Sequence, residues 1–472
     1  MTSTTARAKR RRLPARALWL ALAGLLFVTP LVFALPDLSD PGRRMLAIFL
    51  VAIVLWVAEP IPLYGTATLI IFLEILMISD AALVGLPETF APSRYQDYFA
   101  ALADPVLMLV LGGFFLAMGA SRFHVDRAAG RILLRPFGDS PTRIMLGLML
   151  ITATFSMFMS NTATTATMMA VVLPVVAALP SNDRLRVAMV LAIPFAANIG
   201  GIGTPVGTPP NAIAVGQLAG VGISISFGKW MLMALPGVIV VIFITWWLLA
   251  RMFPSETRSI SVRIEGEFER SRQATIFYWV FAVTVVLWMT ESFHGITSSV
   301  IGFIPVVVLL VTGVLTDKDL QKVQWHVLWL IAGGIALGRG IVDSGLDEWV
   351  IDLISWDAIG TTAIVAVFAV TALGLSTVMS NSASANLLVP LGISLATSSA
   401  LDLDPLTVGF MIAIGASMAM ALPISTPPNA IAYSSGLIKT GDMAKTGLLV
   451  GGVGLLIYLV VAPLLWSALG VT

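Results

Sequence analysis

From Ile144 to Met159 the chain is largely apolar, from Met168 to Leu179 it is apolar again, and between lies the polar run SNTATTAT. A helix needs about 20 residues to cross the hydrocarbon of a bilayer, and each arm falls short of that. Two short helices joined at a polar tip, a re-entrant hairpin over 144–179, place that run at membrane depth where protein or water must surround it. The competing arrangement is one helix with an unwound middle. The pattern returns over 361–397, where Ser380-Asn381-Ser382 in LSTVMSNSASAN repeats Ser160-Asn161-Thr162 in FSMFMSNTATTA 220 residues on. Pro174 and Pro390 lie in the two second arms at places that look equivalent, which favours the hairpin.

Each copy is followed by a second signature, GTPPNAIA from Gly207 and STPPNAIA from Ser425. Two consecutive prolines lack N–H donors and fix φ, and each pushes the residue before it off the α region. The stretches 184–225 and 404–438 therefore read as broken helices, each a half-helix, a loop and a second half-helix. Glycines Gly200, Gly201, Gly203 and Gly207 loosen the first loop further. The duplication is wider still. Trp56-Val57-Ala58-Glu59 is echoed by Trp288-Met289-Thr290-Glu291, and VLMLVLGGFFLAMG from Val106 by VLWLIAGGIALGRG from Val327.

Composition sets the environment. The chain is 58% hydrophobic and 11% charged, against about 25% charged in a soluble domain. It belongs in lipid. A net charge of +1 is silent on nucleic acid, but no basic stripe with interleaved aromatics occurs, and the absence of cysteine removes thiol catalysis, disulfides and Cys-ligated metals. Arg7, Lys9, Arg10, Arg11 and Arg12 precede an apolar run from Ala17 to Leu35 that is long enough to span and lacks a clear cleavage site. It reads as a first helix with a cytoplasmic N-terminus in the plasma membrane. Further spans are expected near 44–58, 63–79, 103–120, 230–250, 275–291, 297–315, 325–341 and 446–468. With those, the basic loop of Arg122, Arg127, Arg131, Arg135 and Arg143 falls inside. So does the central loop 251–274, bearing Arg251, Arg258, Arg263, Arg270 and Arg272. The acidic segments Asp80–Asp97, Asp343–Asp357 and Asp402–Asp404 fall outside. An odd number of crossings then separates equivalent points, so the two copies have opposite orientation. The organisation expected is a first part over 1–40, an inverted repeat over 41–252, a linker over 253–274 and a second repeat over 275–472. Inverted repeats with broken helices are a transporter signature, and the breaks mark the binding site.

The paired Ser-Asn-Thr-type motifs, the paired Pro-Pro-Asn loops and the Trp-x-x-Glu element resemble the divalent anion/sodium symporters, the dicarboxylate and citrate carriers. The resemblance covers nearly all the chain after the first helix. It implies an all-α polytopic membrane protein of about 11 transmembrane helices, assembled as a homodimer, with a fixed scaffold and a transport domain moving like an elevator. It also implies two sodium sites, one from Ser156, Ser160, Asn161 and the Gly207 carbonyl, the other from Ser376, Ser380, Asn381 and Ser425. Ser156/Ser160 and Ser376/Ser380 are each four apart, on one face if the helix continues. The substrate sits between the tips, against Ser160, Asn161, Thr162, Ser380, Asn381 and Ser382, flanked by Thr208, Pro209, Thr426 and Pro427. Neither motif contains Lys or Arg. A dianion held without basic side chains needs other positive charge, from half-helix N-termini and co-transported Na+. Ser382 departs from the family's usual Thr, keeping the hydroxyl and losing a methyl.

Singly, each Ser or Thr here is better explained as a partner of its own helix backbone; the duplication is what turns the balance. Glu59 and Glu291 read as helix-end capping carboxylates, Arg339 as a snorkelling cation, and Gly112-Gly113 and Gly333-Gly334 as close-packing sites. The twelve tryptophans read mostly as interfacial anchors, and His124, His294 and His326 as scattered loop-edge residues. The function expected is uptake of C4 dicarboxylates such as succinate, malate or fumarate by sodium symport. Alternatives are a sodium-independent dicarboxylate exchanger, expected to carry Lys or His near the tips, and a citrate or sulfate carrier of the same fold. A channel does not need two inverted broken-helix units. An intramembrane enzyme needs a nucleophile with its base, or a metal motif, and the apolar runs hold neither.

Overall fold

The computed structural model describes residues 15–260, 267–353, 360–398 and 403–468. The basic residues Arg7–Arg12, Arg263 of the linker, and Asp357 and Asp402 of the acidic segments lie outside these. The described residues are helical, with no strand among them. Among the described residues, eight helices are long and apolar enough to cross a membrane by length and composition. They include Ala15–Val32, Asp40–Ala58, Phe227–Met252, Arg272–Met289 and Trp325–Asp343. Leu63–Ile78 and Ser298–Val311 are apolar but shorter, at 16 and 14 residues.

The polar runs fall between short helices. Pro141–Ser156 and Asn161–Ala177 form the first hairpin, and Thr361–Val378 and Asn381–Thr397 the second. Three of these arms have 16 or 17 residues; Thr361–Val378 has 18 and passes the same length and composition test as the full spans. The two prolines are not equivalent: Pro174 lies in the last turn of its arm, Pro390 in the middle of its own. Each broken helix is a pair, Leu185–Gly201 with Pro209–Gly220 and Pro405–Ser417 with Pro427–Ser434.

The two repeats interlock by exchange. Pro209–Gly220 packs against Pro405–Ser417 and Asn381–Thr397, while Pro427–Ser434 packs against Leu185–Gly201 and Asn161–Ala177. Each second half-helix thus rests on the other repeat's broken helix and hairpin. The outer helices do the same: Pro105–Arg122 lies along Ser298–Val311, and Leu63–Ile78 along Trp325–Asp343. Small residues make these crossings possible. A Cβ at Gly112 would run into the Gly302 carbonyl, and one at Gly333 into Ala67, so a side chain is excluded at both.

The Trp-x-x-Glu elements close turns. Trp56 Nε1 donates to the Leu63 carbonyl at 3.2 Å, and Trp288 Nε1 to the Ser298 carbonyl at 2.9 Å, each pinning the start of the next helix. Both indoles are fully buried, as are Trp230 and Trp466, so four of the tryptophans are core residues rather than interfacial anchors. Glu291 accepts from Ser298 N and Phe227 N, both at 3.3 Å, which makes it a cap for two helices. On another face the linker straps the first hairpin to the broken helix. Asp183, between those two elements, accepts from Ser255 Oγ at 2.6 Å and Thr257 Oγ1 at 2.8 Å, and Ile260 N donates to the Asp139 carbonyl.

Candidate functional site

Ser160 and Ser380 are each the N-cap of a hairpin's second arm. Their backbones are extended, and each Oγ accepts from the N–H three residues on, Ala163 and Ala383, at 3.2 Å. The helix before each tip has already ended, at Ser156 in one copy and Val378 in the other. Ser156 and Ser160, and likewise Ser376 and Ser380, therefore do not share the face of one continuous helix. The chain turns between them, because the cap serine needs non-helical φ and ψ.

The broken helices begin again in the same way. Thr208 and Thr426 are extended N-caps followed by proline at the first helical position, where no N–H is missed. Their motif asparagines hold the break open. Asn211 Nδ2 donates to the carbonyls of Gly201, Ile202 and Thr204 at 3.1, 3.2 and 2.8 Å. Asn429 Nδ2 donates to Met420 and Leu422 at 2.9 and 3.0 Å. One amide thus satisfies carbonyls that the interrupted ladder leaves without helical partners. Each loop is also tied to its hairpin tip: Thr204 Oγ1 donates to the Met157 carbonyl, and Ser425 Oγ to the Thr377 carbonyl.

All four N-termini, at Asn161, Pro209, Asn381 and Pro427, begin at one cavity of about 270 Å³. Its lining includes Ser160, Asn161, Thr162, Gly207, Thr208, Pro209, Ser380, Asn381, Ser382, Ser425, Thr426 and Pro427. Ser156 and Ser376 do not line it; they lie fully buried behind the tips. Neither Lys nor Arg lines it among the described residues. The partial positive charge of four helix ends is therefore its main electrostatic feature.

Beside the cavity lie two oxygen-rich sets. The Asn161 side-chain amide directs one end at Ser156 Oγ, 2.6 Å away, and at the carbonyls of Ala197 and Gly207, each 3.2 Å away. All three can accept, so the NH2 end satisfies them, and a half-turn of the amide would present Oδ1 to a cation instead. In the second set, Ser376 Oγ and Asn381 Oδ1 are buried without a hydrogen-bond partner. Orphaned hard oxygens in this position fit a small alkali cation. Ser425 also adjoins this tip, but its Oγ is engaged with the Thr377 carbonyl at 2.7 Å and with Leu422 N at 3.2 Å.

Several lining residues carry no motif signal. Asn198 is buried and donates to Thr426 Oγ1 at 3.2 Å and Asn429 Oδ1 at 3.3 Å, joining one broken helix to the other. Phe114 and Gln324 come from the outer helices. His326, expected at a scattered loop edge, instead lines the cavity from the start of Trp325–Asp343, so a histidine does stand near the tips. A histidine isolated in sequence gives no sign of which cavity its helix start will face. His124 and His294 do not line the cavity, and His294 Nε2 lies 3.0 Å from the Leu287 carbonyl of the preceding helix.

The family model for the sodium:sulfate symporter transmembrane region matches residues 16–472. The sodium-dependent dicarboxylate transporter SdcS of Staphylococcus saprophyticus is 31% identical, over 94% of this chain and 91% of that protein. Its counterpart in Staphylococcus aureus strain USA300 is also 31% identical, over 94% and 89%. Among solved structures, the YdaH transporter of Alcanivorax borkumensis superposes with a TM-score of 0.54 at 13% identity, over 91% of this chain and 99% of that one. MtrF of Neisseria gonorrhoeae gives 0.54 at 12%, over 96% and 95%. These two share the fold. A multi-pass helical protein with this match over almost its whole length is a member of the sodium:sulfate symporter family, the divalent anion/sodium symporters.

Proposed function

We propose that the protein is a secondary carrier that takes up C4 dicarboxylates with sodium. The observation that carries this reading is the single cavity at which four helix N-termini begin without Lys or Arg, flanked by two sets of buried oxygens. The helix ends and hydroxyls of Ser160, Thr162, Ser380, Ser382, Thr208 and Thr426 suit two carboxylates. Na+ at Ser156, Ser160, Asn161 and Gly207, and at Ser376, Ser380, Asn381 and Ser425, would supply the remaining positive charge. The carrier relatives named sodium-dependent dicarboxylate transporters support the same pairing. Uptake of succinate into proteoliposomes tests it: an inward sodium gradient drives accumulation if the reading holds, and indifference to sodium refutes the coupling.

The N-terminus lies in the cytoplasm on this account, as the basic loops require. The hairpins and broken helices move as one body past the outer helices, in an elevator. The homodimer that the resemblance implies predicts a purified particle of twice 50.1 kDa. A second reading, sodium-independent exchange, is favoured by His326, whose ring at the cavity offers an N–H donor to the anion in place of an ion. Counterflow that ignores sodium and is lost in His326→Gln would establish it. Citrate and sulfate remain the competing cargoes, distinguished by thermal stabilisation with each anion in sodium or choline.

A further inference from the structure

Adjoining the candidate site is a larger cavity of about 560 Å³ between the end of Pro105–Arg122 and the loop that follows Ser298–Val311. Phe114, Ser160 and Gln324 line both cavities, so they form the neck between them. The outer cavity has the side chains that the inner one lacks. Arg122, Lys318 and Lys322 line it against one acid, Asp319. Asp319 is fully engaged: it accepts from Arg122 Nη1 at 2.9 Å, Lys322 Nζ at 3.4 Å, and Thr316 N and Oγ1 at 3.0 and 2.9 Å. The basic excess is thus left for something else, and Lys318 makes no ion pair or hydrogen bond among the described residues. A third cavity, lined by Asp97, Asp104 and Asp343 with Arg339, has the opposite balance and shares no lining residue with the inner one.

An anion between the inner cavity and solvent by way of the neck therefore meets fixed positive charge, in partly screened surroundings, before or after it meets the helix ends. We propose that Lys318, Lys322 and Arg122 form a second station for the dianion, a waiting site outside the neck that captures it on entry from that face and receives it on release. This rests on the dicarboxylate reading above. The station attracts by charge rather than by fitted hydrogen bonds, so its occupancy falls with ionic strength, whereas the inner site, which no Lys or Arg lines among the described residues, changes less.

The chain has no cysteine, so single-cysteine variants can be modified without a background. In proteoliposomes, Lys318→Cys and Lys322→Cys are expected to raise the KM for succinate roughly fivefold, about the factor one unit charge supplies close to a carboxylate in water. The rise should appear when transport is measured from the face these residues occupy, with KM from the opposite face unchanged. A cationic methanethiosulfonate reagent should restore the lower KM and an anionic one raise it further. Reagents of both signs acting alike, or neither acting, would overturn the station while leaving the carrier intact. Wild-type protein that moves no dicarboxylate would instead refute the function on which the station rests. Sodium-dependent thermal stabilisation by succinate, unchanged in both variants, shows that the inner site is still formed.

Discussion

Asn161 is the residue on which both proposed ligands converge. Its amide faces Ser156 Oγ and two carbonyls, and it heads the hairpin arm that opens on the cavity. Asn161→Ala is expected to abolish sodium-dependent uptake while the protein still folds, because the cap at Ser160 survives the change. Retained uptake would remove Asn161 from both sites. Asn211 and Asn429 act differently, as substitutes for missing helix bonds. Asn211→Ala leaves three carbonyls without their amide partner and should cost about 1–3 kcal/mol, read as a lower melting temperature before any effect on substrate affinity. Thr162 against Ser382 is the one difference between the tips that faces the cavity. Ser382→Thr adds a methyl there and is expected to shift preference between succinate and bulkier dianions, without loss of sodium dependence.

At the scale of elements, close crossings and loop ties join the helices, and Arg122–Asp319 adds a long-range ion pair. Gly112→Leu would drive a side chain into the Gly302 backbone and is expected to prevent the outer helices from packing, seen as loss of folded protein on gel filtration. The linker strap makes a pH prediction. Burial acts to raise the Asp183 carboxyl, but the hydrogen bonds from Ser255, Leu185 and Thr257 outweigh it and hold the carboxyl below the usual range. A lowered carboxyl favours the fold above its unfolded pKa of about 3.9, and that contribution is lost as pH falls through the folded value. The melting advantage of wild type over Asp183→Ala should therefore narrow only at acid pH. Hairpins and breaks were legible in the sequence because each is written twice and because short apolar arms and Pro-Pro pairs have few other uses. The motif residues that line the cavity were legible for the same reason. Asn198, His326 and Phe114 were not, since none lies in a Ser-Asn-Thr or Pro-Pro-Asn motif and each reaches the cavity through packing of its helix. The end of the helix at Ser156 was also hidden: an i, i+4 spacing cannot report that a capping serine has turned the chain.

At the scale of the whole molecule, two repeats exchange their second half-helices, so the four N-termini cannot be separated without dismantling both. A site built that way travels as a unit if it travels at all. Gly216 lies against Ile335 of the outer helices, close enough that an added Cβ would touch it. Oxidation of the pair Gly216→Cys with Ile335→Cys should arrest transport, and reduction should restore it; transport through the oxidised form would contradict the elevator. The central claim is that sodium supplies the charge that the cavity's side chains do not. The most direct test is succinate uptake into proteoliposomes of the purified protein, with sodium or choline outside. Accumulation that needs the inward sodium gradient and collapses in choline is the predicted result. Equal uptake in both cations would contradict the account.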